Sequence, residues 1–243
     1  MRTPIAVVLP LSCLLVMRFA GGAEGAMPVF TTPPAISNPY HPFTPDAVKV
    51  FHGKKDGKAS VIVDLYLETT RAFQLDATSV ATHVLQETEF AGGQLVEISH
   101  NFFAQADDGN VYYFGELVDT YDNGAVSGHE GSWLVGGPTD PGDPAITANA
   151  PAPTVFMVAS PKVGDTFKPE DLFPTVDETV TVKAVGLKVG TPAGKFSNSI
   201  RVEETTQLED PPETKWYTRG VGVIKGRTKG EAFGLVASTL AAQ

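Results

Sequence analysis

The chain has 243 residues, 28 acidic against 18 basic, a formal net charge of −10 and one cysteine. This acidic field repels DNA, RNA and anionic membranes, and no basic patch interleaves with aromatics, so nucleic-acid binding is excluded. Beyond the N-terminal segment no run approaches the roughly 20 apolar residues of a membrane helix, and a chain of this length can bury a sizeable core.

Residues 1–23 read as a secretory signal peptide: a short positive start through Arg2, an apolar run from Ile5 to Phe19, and small residues Gly21-Gly22-Ala23 for cleavage. Removing them takes away Arg2 and Arg18 and moves the formal charge to −12. Cys13 lies inside this segment, so the mature chain is expected to have no disulfide, thiol nucleophile or cysteine metal site. The expected compartment is periplasmic or extracellular.

Residues 24–46 form a proline-rich lead-in. Pro28, Pro33, Pro34, Pro39, Pro42 and Pro45 forbid a regular helix and supply few ladder donors. Its aromatics at Tyr40 and Phe43 call for burial, so the segment is expected to drape over a sheet edge.

From 47 to 243 the pattern is that of a single β domain. Ala47–His52 precedes the Lys54-Lys55-Asp56-Gly57 turn. Ser60–Glu68 alternates Val61, Val63, Leu65 and Leu67 against Ser60, Ile62, Asp64 and Tyr66, which predicts an apolar buried face. Val80–Phe90 leads to Gly92-Gly93. The stretch of about 94–135 reads as a β-meander split by Asp108-Gly109-Asn110 and by Asn123-Gly124, the latter a primed-turn signal. Residues 136–154 are Gly/Pro/Ala-rich and are expected to hold neither strand nor helix, as a surface loop or flap. Val155–Ala159, Glu178–Leu187, Ser197–Leu208, Thr214–Tyr217, Gly220–Lys225 and Glu231–Leu240 read as further strands, the last as the closing strand, with one helical turn expected within Lys162–Phe173. The expected class is an all-β, single-domain antiparallel barrel or sandwich.

The run from Phe102 to Glu116, FFAQADDGNVYYFGE, resembles a segment D-W-Y-A-Q-D-x-x-G-N-V-W-Y-F-G-E of a family of secreted bacterial β-rich proteins of unassigned function. Gly131-Ser132-Trp133, Pro161 to Asp165, Lys215-Trp216-Tyr217 and Gly220 to Val223 fit the same pattern, over about residues 38–225. Two departures stand out: His100-Asn101 replaces the family's acid before the aromatic pair, and a proline-rich stretch precedes Met157. The resemblance implies export and a β fold, and no activity.

Candidate chemistry concentrates in the meander. His100, Glu116 and His129 are the catalytic candidates, as acid/base groups or, with the histidines, as metal ligands. Asp107 and Asp108 offer hard oxygen ligands around a glycine, although Asp, Gly and Asn are also what a turn requires. No HxH, HExxH or G-x-S-x-G spacing is present. No cofactor is predicted, and a bound metal ion is the exception left open. Phe103, Tyr112, Tyr113, Tyr121 and Trp133 are the ligand-binding candidates. Tyr112 and Phe114 share one face of their strand and Tyr113 takes the other. Two functions follow: a non-catalytic binding module for a small apolar or sugar-like ligand or a partner protein, favoured because no catalytic spacing is specific; or a secreted hydrolase, lyase or isomerase using histidine and carboxylates of the meander.

Overall fold

A computed structural model of the chain describes residues 27–31, 35–208 and 211–243. The expected signal peptide lies outside these residues. Among the described residues fifteen strands and no helix follow in chain order. The first five are β1 (Val48–Lys55), β2 (Lys58–Leu75), β3 (Thr78–Ala91), β4 (Gln94–Gln105) and β5 (Val111–Asp122). Four short strands come next: β6 (Ala125–Gly128), β7 (Trp133–Val135), β8 (Ala148–Ala150) and β9 (Thr154–Met157). The C-terminal half holds β10 (Thr166–Leu172), β11 (Val176–Thr191), β12 (Gly194–Thr205), β13 (Glu213–Thr218), β14 (Gly222–Arg227) and β15 (Glu231–Ser238).

All of them belong to one sheet, ordered β10-β11-β12-β13-β14-β15-β1-β2-β3-β4-β5-β7-β8, with β6 and β9 also on β5. The sheet curls into a nearly closed barrel. Its seam lies between β9 and β10, where Thr154 donates to the Pro169 carbonyl. Pro169 has no N–H to give, which suits an edge strand and helps leave the ladder open there. β15 pairs with β1 and β14. It therefore joins the two halves in mid-sheet and is not the closing strand expected from the sequence.

The turns follow their residues. Asn123-Gly124 takes φ of 51° and 81°, and Asp56-Gly57 takes 50° and 79°, as primed two-residue hairpins demand. Three sequence expectations are corrected. Lys162–Phe173 contains no helical turn and supplies β10. The 136–154 loop contains β8, parallel to β7. And the buried face of β2 is Ser60, Ile62, Asp64 and Tyr66, while Val61, Val63, Leu65 and Leu67 are only half-buried on the other face. The reason for this last inversion is that the barrel interior is polar.

Residues 35–46 of the lead-in are fixed in place. Ser37 and Asn38 backbone N–H groups both donate to Gln105 Oε1 at 2.8 Å, and Asn38 Nδ2 reaches the carbonyls of Gly109 and Val158. Ile36, Tyr40, Phe43 and Ala47 join the main apolar cluster with Phe103, Tyr113, Trp133, Ile200, Val202 and Tyr217. This segment caps the apolar end of the barrel.

Candidate functional site

The interior holds a cavity of about 350 Å³. Its wall changes character along the barrel axis. Near the lead-in it is formed by His41, Phe103, Tyr113, Phe156 and Phe167; at the other end, beside the β1–β2 and β3–β4 turns, stand Lys55, Glu89, Glu97, Glu213 and Glu231. Between them lie Lys49, Asp64, Glu87, Ser99, Glu116, Glu170, Glu178, Glu204 and Lys215. Register explains this belt. Lys49 faces Asp64, Asp64 faces Glu87, and Glu87 faces Ser99 across four adjacent strands, and Glu170 faces Glu178 on the far wall. Carboxylates directly opposite one another repel, so this wall is costly to the fold.

Two β-bulges aim the central carboxyls inward. Phe102 pairs with Gly115 but Phe103 pairs with Tyr113, so Phe114 is the extra residue. Tyr113 and Glu116, three apart, would face opposite ways on a regular strand; the bulge turns both into the cavity. Gly115 takes φ 124°, and a Cβ there would meet the Trp133 carbonyl and lie 2.8 Å from Leu134 Cα. The register slip between Phe167 and Glu170 does the same for β10.

Glu116 and Glu170 then share a hydrogen bond, and burial together with their mutual repulsion pushes the Glu116 carboxyl well above the usual range. Burial raises Glu170 as well. The Tyr113 hydroxyl donates to Asn101 Oδ1 and also touches Glu116. The Trp133 indole N–H lies near Glu170 but without hydrogen-bond geometry. Elsewhere burial lifts Glu178 to about 7 and Glu87 and Glu204 to about 8. His41, packed edge-on against Phe103 and Phe156, is held neutral: burial, then the Lys49 ammonium, lower its pKa to about 3.

The three lysines of the cavity are each engaged. Lys49 Nζ lies 2.8 Å from Asp64, Lys55 2.5 Å from Glu89, and Lys215 2.6 Å from Glu204 and 3.5 Å from Glu213.

The residues singled out in the sequence divide between the two faces of the sheet. Glu116, Phe103 and Tyr113 line the cavity. His100 pairs with Gln86 and Leu117, residues that alternate with the cavity wall, and so faces outward. His129 is on that side too, its Nδ1 2.7 Å from Asp119 and 3.1 Å from the Val118 carbonyl. The three catalytic candidates His100, Glu116 and His129 are therefore split by the sheet. Tyr112 packs with Phe114 against Phe30 on the outer face, as the alternation required. Trp133 is core, 1% exposed and edge-on to Tyr113, and Tyr121 stands half-buried near the β5–β6 turn. Asp108 caps its own hairpin by accepting from the Asn110 N–H, Asn110 Nδ2 and the Tyr112 hydroxyl, and Asp107 accepts from Thr31. Among the described residues no three of His, Cys, Asp and Glu converge to hold a metal ion.

What sequence reading missed is the rest of the belt. Its one available signal was a charged residue recurring at the period of a strand's buried face, as Asp64 does between Ile62 and Tyr66. No family model, curated protein or solved structure matches this chain.

Proposed function

We propose that this chain is an exported, non-catalytic binding barrel that takes a small polar ligand into its interior through the carboxylate-lined end. The observation that carries the reading is the cavity wall. A volume of about 350 Å³ falls in the range of small-ligand pockets, about 300–1,000 Å³. Burying this many ionisable groups destabilises a fold, so their concentration around one enclosed space is best explained by what the space holds. Of the ligand classes expected from the sequence, the hydrogen-bonding one suits this wall and the purely apolar one does not. A thermal-shift screen of neutral polyols, amines and carboxylates tests the reading against a Ser99→Phe variant, which fills the cavity from a buried wall position. One ligand class should raise the Tm of the natural chain and not of the variant. No class with that difference would overturn it.

A second reading, acid–base chemistry by a hydrolase, lyase or isomerase, rests on Glu116 and Glu170. A carboxylic acid kept protonated beside a second carboxyl is equipped to exchange a proton with a bound molecule. Glu116→Gln separates the two readings. An enzyme turns over a molecule that enters the cavity and loses that turnover in the variant, whereas a binding protein turns over none of the molecules that raise its Tm.

A further inference from the structure

We infer that the ligand of the barrel is a linear organic cation with two or more amine groups, of the diamine or polyamine class. The inference rests on the binding-chamber reading and gives its ligand a chemistry. Ten carboxyl groups line the cavity against three lysines. Because each lysine is already held by Asp64, Glu89 or Glu204, the neighbouring wall groups Glu116, Glu170 and Glu178 have no ammonium within ion-pair distance.

Independent of the charge count, buried polar atoms in this wall lack partners. Asp64 Oδ1, Glu89 Oε1 and His41 Nε2 make no hydrogen bond, on residues only 1%, 7% and 7% exposed. Buried polar groups in folded proteins are nearly always satisfied, so such a set on one cavity points to a partner supplied from outside the chain. A carboxylate only accepts, and an ammonium offers three donors and no acceptor, so the two inventories match. The cavity already holds one ammonium in this manner: Lys49 sits between Asp64 and the faces of Phe51 and Tyr66, 5.2 and 5.6 Å from their ring centres. A metal ion fits poorly, since among the described residues no three acidic or histidine side chains converge on one point. The acids instead lie at two levels, Glu116, Glu170 and Glu178 on the wall of β5, β10 and β11 and Glu89, Glu97 and Glu231 beside the β1–β2, β3–β4 and β14–β15 turns. Two amines joined by an aliphatic stem would meet both levels.

The test is calorimetric titration at 150 mM salt, roughly the ionic strength at which the Debye length falls to about 8 Å and surface pairing is screened. The probes are putrescine, spermidine, neutral sorbitol and the dianion succinate. The amines should bind the natural chain with one-to-one stoichiometry, and sorbitol and succinate should not. Glu178→Gln and Glu97→Gln, which test one level each, should weaken spermidine at least tenfold, while Glu130→Gln on the exposed outer surface should leave it unchanged. Binding of sorbitol without the amines would overturn the amine assignment and leave the chamber standing. Amine binding unaffected by both cavity variants would mark surface pairing and overturn it too. Equal binding of any probe to Ser99→Phe would remove the chamber itself. The glutamine variants are checked for folding by circular dichroism. They replace carboxyls that burial already disfavours as anions, so the fold should survive.

Discussion

Lys49 and Asp64 face each other across β1 and β2 inside the barrel, 2.8 Å apart, with side chains only 2% and 1% exposed. A buried pair of this kind is held by its geometry, and removing one partner strands the other. Lys49→Met should therefore destabilise the fold by about 3–5 kcal/mol, and Lys49→Met with Asp64→Leu should recover most of that loss. Urea denaturation midpoints of the two variants check this. A single variant as stable as the natural chain would contradict it.

The buried glutamates set a direction for pH. Glu178, Glu87 and Glu204 titrate at about 7, 8 and 8 in the fold, against an ordinary value near 4.5. Their folded values are raised, so the stability they contribute is present below pH 4.5 and is lost as pH rises through 7 to 8. His41 runs oppositely. Its value is lowered from 6.5 to about 3, so its contribution is present above 6.5 and is lost as pH falls toward 3. The Tm is expected to fall from pH 6.5 to 8.5, and to fall again below pH 4.5. Glu178→Gln should flatten the alkaline limb in a thermal melt series.

Gly115 is required both by its backbone and by its neighbours. Gly115→Ala forces a Cβ into φ 124° and against the Trp133 carbonyl. The strained backbone alone is worth about 1–3 kcal/mol, and displacement of β7 adds to it. Loss of stability together with a changed near-ultraviolet signal from Trp133 is the expected outcome.

The 136–147 loop is tied to the outer wall by Arg71. Its guanidinium grips Asp143 through two bonds of 2.8 and 2.6 Å, and Asp143 also accepts from the Thr139 and Asp140 N–H groups. Asp143→Ala should expose this loop to protease cleavage between residues 136 and 147 while leaving ligand binding in the barrel intact. Peptide mapping after brief digestion reads it directly.

His100 and His129 face away from the cavity, so replacing either by alanine should leave chamber binding unchanged. The His129–Asp119 pair is about one-third exposed on each side, and exposed pairs of this kind contribute about 0–1 kcal/mol. A tenfold loss of ligand affinity in either variant would show that the outer face of the meander matters after all.

Turns were the most legible part of the chain. Asn123-Gly124 and Asp108-Gly109-Asn110 sit where their conformational preferences put them, and the strands between them follow within a few residues. The face assignments were less secure. In Ser60–Glu68 both alternating sets contain apolar residues, and preferring the fully apolar set placed Asp64 outside when it is inside. Glu116 does line the cavity, but its supposed partners His100 and His129 were judged by nearness in sequence. Strand alternation and the bulge at Phe114 put them on the other side of the sheet.

Local chemistry thus determines that this chain is all β, where it turns, and which strands are neighbours along the meander, because these depend on backbone preferences and residues close in sequence. The tertiary structure alone decides that the interior is a charged chamber. Glu116 meets Glu170, and Lys215 meets Glu204, only when strands far apart in the chain share one wall. Two bulges that no local pattern announces then choose which side chains face it.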